Sequence, residues 1–183
     1  MKKLLAFAAA AAVSLSAFAQ DNLKNLYIGG SLGVWRNQSD KVTSVTIAPE
    51  VGYNLNDTWS VGAQIGYRYL GNSSAKNSSF IFDPYARWTY LRAGMVQLFV
   101  DGGVDFSLGH TSWEGDDSDV SASFGIGLKP GVALNLNKNF SIIAHFGFLG
   151  YQGANKAAEV GGFKKGFGFD FNNSVNFGFY YTF

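Results

Sequence analysis

Period-two alternation runs through this chain in eight separate stretches, and no other feature limits its fold as tightly. A strand turns successive side chains to opposite faces, so apolar residues at every second position mark a sheet with one apolar face. The stretches are 26–35, 45–53, 59–69, 80–88, 96–108, 124–134, 140–148 and 169–183. In the third, Trp59, Val61, Ala63, Ile65, Tyr67 and Tyr69 oppose Ser60, Gly62, Gln64, Gly66 and Arg68. In the sixth, Phe124, Ile126, Leu128, Pro130, Val132 and Leu134 oppose Gly125, Gly127, Lys129 and Gly131. In the seventh, Phe140, Ile142, Ala144, Phe146 and Phe148 share the apolar face. Short polar turns are expected at 54–58, 91–95 and 136–139, and longer polar loops at 36–41, 71–79, 109–119 and 152–166. An even number of strands, with short turns at one end and long loops at the other, is the pattern of an all-β, eight-stranded antiparallel up-and-down transmembrane barrel.

Alternation alone does not say which face is outside, because a soluble barrel of the lipocalin kind would line its cavity with the apolar face. Bulk decides. About six large residues per strand over eight strands overfill an eight-stranded interior, whereas the opposite face, rich in Gly and Ser, suits it. Composition agrees: aromatics make up 16% and charged residues only 15% of the chain, against roughly 25% charged in an average soluble domain. Tyr53, Trp59, Tyr67, Tyr69, Trp88 and Tyr181 gather near strand ends, as in interfacial girdles.

The first residues read as an export signal. Lys2 and Lys3 precede an apolar stretch from Leu4 to Val13, and Ala17-Phe18-Ala19 is a small-x-small cleavage site. The stretch is too short for a membrane-spanning helix. Residues 1–19 are therefore expected to be a signal peptide and residues 20–183 the barrel domain. Loss of Lys2 and Lys3 leaves 12 basic against 13 acidic residues. No basic tract remains to neutralise phosphates, so no nucleic-acid partner is expected. Cys is absent, which removes disulfides, thiolate metal sites and a Cys nucleophile.

The mature chain resembles the OmpA/OmpX-like superfamily of small, porin-like, single-domain outer-membrane barrels. The resemblance is carried by 53–59 (Tyr-Asn-Leu-Asn-Asp-Thr-Trp), 83–87 (Asp-Pro-Tyr-Ala-Arg), 129–132 (Lys-Pro-Gly-Val) and, most specifically, by Asn176-x-Gly178-x-x-Tyr181-x-Phe183. That ending matches the assembly signal which such proteins present to the barrel-assembly machinery. The resemblance implies a monomer in the outer membrane of a Gram-negative bacterium, with lipid and lipopolysaccharide as surroundings. It does not imply one activity, because such barrels host unrelated ones.

The inward face carries Glu50, Gln64, Arg68, Asp83, Tyr85, Arg87, Asp101, Asp105, Lys129, His145 and Asp170. Charges inside a narrow wall must pair or line water. These residues are expected to form a polar network that fills the lumen and leaves no large pore; a narrow ion path is the alternative. If the hairpin around loop 71–79 is symmetric about Ala75 and Lys76, Arg68 faces Asp83. If the turn 136–139 centres on Asn137, Lys129 faces His145, and an acid from a neighbouring strand is expected between them.

No cofactor is expected. A lipid A-modifying enzyme is the least favoured reading: His110-Thr111-Ser112 with Glu114 has the residue types of a nucleophile, base and acid, but only as a local coincidence. The acids Glu114, Asp116, Asp117 and Asp119 lack the regular spacing of a calcium loop, so no metal site is expected there. Lys156, Lys164 and Lys165 fall where they would meet lipopolysaccharide phosphates. The favoured role is structural or surface-interacting. N-terminal sequencing of protein from the membrane fraction should begin at Gln20; a chain that begins at Met1 would refute the leader.

Overall fold

The alternating stretches form strands joined edge to edge, with a hydrogen-bonded ladder longer than their apolar pattern. The computed structural model describes residues 24–37, 42–71, 75–113, 116–160, 165–170 and 176–183; the expected leader lies outside them. The strands are β1 (Leu26–Asn37), β2 (Val42–Asn54), β3 (Trp59–Gly71), β4 (Ala75–Ala93), β5 (Val96–Trp113), β6 (Asp116–Asn135), β7 (Phe140–His145), β8 (Phe148–Ala154), β9 (Gly166–Asp170) and β10 (Asn176–Thr182). Each of β1 to β6 pairs antiparallel with the next. Both β7 and β8 pair with β6, as two halves of a seventh wall strand. β8 pairs with β9 and β7 with β10, so β9 and β10 are two halves of an eighth. β10 pairs with β1 and closes the ring. The result is an eight-stranded antiparallel barrel.

The three short turns lie where the polar breaks predict them. The longer loops are another matter. β5 and β6 run to Trp113 and from Asp116, and β3 and β4 run to Gly71 and from Ala75. Most of 109–119 and 71–79 is therefore hairpin and not loop. Alternation ends where one face no longer needs to be apolar, but the backbone ladder does not depend on that face and continues. Among the described residues, only the connection after β8 carries a helix, α1 (Lys156–Val160). Asn155 ties it to the wall, accepting from the Ala158 and Ala122 amides at 3.0 and 3.1 Å and donating to the Val120 carbonyl at 2.8 Å.

Outside and inside follow the bulk argument. Ile126, on the outer face, is 55% exposed, whereas Phe99, on the inner face, is 1% exposed. At the short-turn end Trp59 and Trp88 stack at 6.4 Å and Tyr90 follows at 5.6 Å from Trp88. On the other side of that rim Phe140, Tyr181 and Phe183 meet edge to face at 5.0 Å each.

Two irregularities re-aim side chains. In β4 the register to β5 shifts between Thr89 and Leu91. Below it Leu91 faces Leu98; above it Arg87 faces Asp101. Without the extra residue Arg87 would fall opposite Gly102 on the wrong face. The second lies between β7 and β8, where Gly147 takes a φ of 87°, open to glycine at little cost. This break corrects the expected place of Phe148: it lies inside, its ring against Gly127 and Gly150, where added Cβ atoms would fall 2.7 and 2.9 Å from it.

Residues 54–60 and 135–141 are the same turn used twice. In both, an Asn side chain accepts from the backbone amides two and three residues on: Asn56 from Thr58 and Trp59 at 2.8 and 2.9 Å, Asn137 from Asn139 and Phe140 at 2.8 and 2.9 Å. Ser60 donates to Asn54 at 2.7 Å and Ser141 to Asn135 at 2.8 Å. The repeat extends into the strands, with Pro49 and Pro130, Val51 and Val132, and Ala63 and Ala144 at matching places.

Ile126→Arg should cost about 2–4 kcal/mol, because it places a cation on the lipid face near the middle of the wall. Gly131→Leu should fail for another reason: even a Cβ there would sit 2.3 Å from the Phe99 ring and 2.9 Å from the Ala144 carbonyl. Urea unfolding of vesicle-inserted protein measures both; an unchanged midpoint for Ile126→Arg would overturn the orientation of the wall.

Candidate functional site

The lumen is built from inward positions of every wall strand, and its lower half is solid. Four aromatic side chains point in, each directly across a strand pair from a glycine: Tyr27 from Gly52, Tyr85 from Gly62, Phe99 from Gly131 and Tyr180 from Gly29. A Cβ on any of these glycines would fall within 2.6 Å of the facing side chain. The rings therefore lie flat over their partners and meet in the middle. Tyr27 and Tyr180 touch edge to face at 5.6 Å.

Charged groups are set into that floor. Arg87 donates from Nε and Nη2 to the two oxygens of Asp101 at 2.7 and 2.8 Å, a bidentate fork of the strong kind. Its guanidinium lies 4.1 Å from the Phe99 ring centre and 5.1 Å from that of Tyr85. His145 Nε2 reaches the same Asp101 at 2.8 Å. Arg87 Nη2 also stands 3.8 Å from Glu50. Glu50 accepts from the Tyr85 and Tyr180 hydroxyls, and Gln64 donates to it at 3.5 Å. With its own proton on Glu50, the Tyr85 oxygen accepts from Tyr27 at 2.6 Å. Arg87, Asp101 and Glu50 are all buried. Burial of this many charges is tolerable only because each one is paired and hydrogen-bonded.

Above the floor the lumen opens into a cavity of about 660 Å³. Lys129 bridges Asp83 and Asp105 on its wall. Arg68 also lines it, with no carboxylate at ion-pair distance among the described residues.

The structure places Glu50, Gln64, Arg68, Asp83, Tyr85, Arg87, Asp101, Asp105, Lys129 and His145 on the inner face; all but Arg68 fall into two connected groups. Two expected pairings are corrected. Asp83 faces Gln64, and Arg68 faces Ser79, because β3 and β4 extend further and their hairpin centres two residues earlier than assumed. His145 faces Gly131, and Lys129 faces Asp101, because the turn after Asn135 centres on Lys138. The acid expected between Lys129 and His145 is Asp101, although Lys129 donates elsewhere. Asp170 lies opposite Phe148 and Asn176 opposite His145 in the backbone register; their side chains lie outside the described ones. Gly178 is inward, and Tyr181 is in the outer rim. Tyr27, Phe99 and Tyr180 were not singled out from the sequence. Each shares the parity of an inward glycine or carboxylate, which was the available signal.

The remaining candidates stay apart. His110 is exposed on the outer face of β5, and Glu114 lies outside the described residues, so no triad geometry connects them. Of the acids 114–119, Asp116, Asp117 and Asp119 belong to the β6 backbone. Lys165 stands 4.0 Å from Glu159, both exposed; Lys156 begins α1, and Lys164 is outside the described residues.

A family model described as outer membrane protein beta-barrel domain matches residues 5–183. Among solved structures, the crystal structure of Neisserial surface protein A superposes with a TM-score of 0.51 at 16% identity, covering 86% of this chain and 96% of that one. At that identity the likeness concerns the fold. No curated protein sequence matches.

Arg87→Leu should destabilise by about 3–5 kcal/mol, since it strands Asp101 and Glu50 in a buried site. Arg87→Leu with Asp101→Leu should cost clearly less than the two single changes together. Strict additivity in urea titrations of the four proteins would show that the fork contributes nothing.

Proposed function

Because the chain belongs to the outer membrane protein β-barrel family, we propose that it is a closed structural or surface-interacting barrel of a Gram-negative outer membrane and not a general pore. The observation that carries this reading is the floor: Tyr27, Phe99 and Tyr180 are at most 5% exposed, and Arg87, Asp101 and Glu50 bridge the space among them. An eight-stranded wall leaves room for little more than side chains, and here the side chains meet.

Export would follow removal of residues 1–19. Insertion would use the terminal strand, with Tyr181 and Phe183 in the aromatic rim and Gly178 facing in. The long ends of the β3–β4 and β5–β6 strand pairs, together with α1, form the end that would meet lipopolysaccharide and external surfaces. A narrow cation path is the second reading; the cavity and the pairing of two carboxylates with one Lys129 favour it. A lipid-modifying reaction draws no support from His145, whose Nε2 is engaged by Asp101 at 2.8 Å.

Planar-bilayer recording separates the first two readings. The parent protein should give no reproducible unitary steps, whereas Tyr180→Ala with Tyr85→Ala, which removes two of the floor's rings, should give them. Regular steps from the parent would establish the channel reading instead.

A further inference from the structure

The break between β7 and β8 has a chemical consequence. In β7 the odd residues Ser141 and His145 face in, hydrogen-bonded to Asn135 and Asp101. An uninterrupted strand would carry that parity on and place Phe148 against lipid, the environment a phenyl ring prefers. The two residues Phe146 and Gly147 instead reverse the parity, and Phe148 enters the lumen above the floor. Its ring rests on Gly127 and Gly150 and lines the cavity. Bulges recur next to binding and active sites because they re-aim one side chain. Here the re-aimed side chain is an aromatic plate beside the cavity's charged and amide groups.

The other lining residues define what would lie on that plate. Gln64, Arg68, Asp105, Lys129 and Gln152 border the same cavity and offer both donors and acceptors. The charges along it nearly cancel: Glu50, Asp83, Asp101 and Asp105 stand against Arg68, Lys129 and Lys165, with His145 on Asp101. A site built for an anion or a cation would keep a clear surplus of the opposite sign. The volume, about 660 Å³, is in the range of small-molecule sites, about 300–1,000 Å³. A ligand with one apolar face, many hydroxyls and no net charge fits these conditions.

We propose that this cavity binds a neutral sugar of one or two rings, with the C–H face of a pyranose on Phe148 and its hydroxyls toward the Gln64, Lys129 and Gln152 side chains. It rests on the closed floor of the proposed function, which makes the cavity a blind chamber entered from the long-loop side. The sugar could reach it free in solution or as a hexose of a lipopolysaccharide core.

The test is saturation-transfer NMR on protein refolded in detergent micelles, with glucose, maltose and trehalose as free probes and dephosphorylated core oligosaccharide as the other source. At least one probe should bind, and the tighter arm identifies the source. Phe148→Leu, which keeps an apolar side chain on Gly127 and Gly150, should weaken binding about tenfold, near 1.4 kcal/mol. Phe82→Leu, on the outer face and away from the cavity, should not, and both variants should retain the heat-shifted gel mobility of a folded barrel. Absence of binding by every probe, equal binding by folded Phe148→Leu, or tighter binding of glucose 6-phosphate than of glucose would overturn the proposal. Unitary conductance steps in the parent would overturn the closed floor and leave sugar binding standing.

Discussion

Four rings lying on four glycines make the lower half of this barrel possible. The circumference of an eight-stranded wall is set by its strand count, so the interior cannot widen to admit large groups. Large inward side chains fit only if the residue across the strand pair gives up its own. Tyr27, Tyr85, Phe99 and Tyr180 each meet that condition at their direct cross-strand partner. The same glycines leave the rings flat against the wall, so that the guanidinium of Arg87 can lie over Phe99 and reach Asp101 in one pose.

Electrostatics then follows from sterics. The floor excludes water, so its carboxylates must be answered from within: Glu50 by two tyrosine hydroxyls, Asp101 by Arg87 and His145. Higher up, inward glycines such as Gly125 and Gly168 have no ring opposite, and the space stays open. There Lys129 holds two carboxylates while partly exposed. One wall thus contains a sealed layer and an open one, divided by where aromatics face glycines.

Much of the architecture was legible because parity and bulk are local properties. Strand count, the face turned to lipid and the ten described inward polar residues need only the residue two positions away. Register was less legible. The Arg68–Asp83 pairing failed because a hairpin centre cannot be read from polar residues once strands outrun the lipid. The Lys129–His145 pairing failed by one position in the turn centre, which moves the partner by two residues. The repeated Asn-Leu-Asn turn was the missed remedy, since two copies of one turn must share one register. Phe148 was illegible for a different reason: Phe140, Ile142, Ala144, Phe146 and Phe148 keep one parity, and only Gly147 hints that the backbone leaves the strand.

The two copies of that turn sit half a circumference apart, on the β2–β3 and β6–β7 hairpins. Their side-chain hydrogen bonds are self-contained, so a second copy works wherever the chain places it. The inward residues above them are different, because both copies project into one shared space. Position 50 is glutamate and its counterpart 131 is glycine; position 64 is glutamine and its counterpart 145 is histidine. Had both copies kept the glutamate, two carboxylates would compete for one set of tyrosines and one arginine. These two turns are therefore alike while the interior above them is not. Any lineage that builds such a wall from a doubled unit faces the same divergence: copies stay alike where contacts are private and must part where they look at each other.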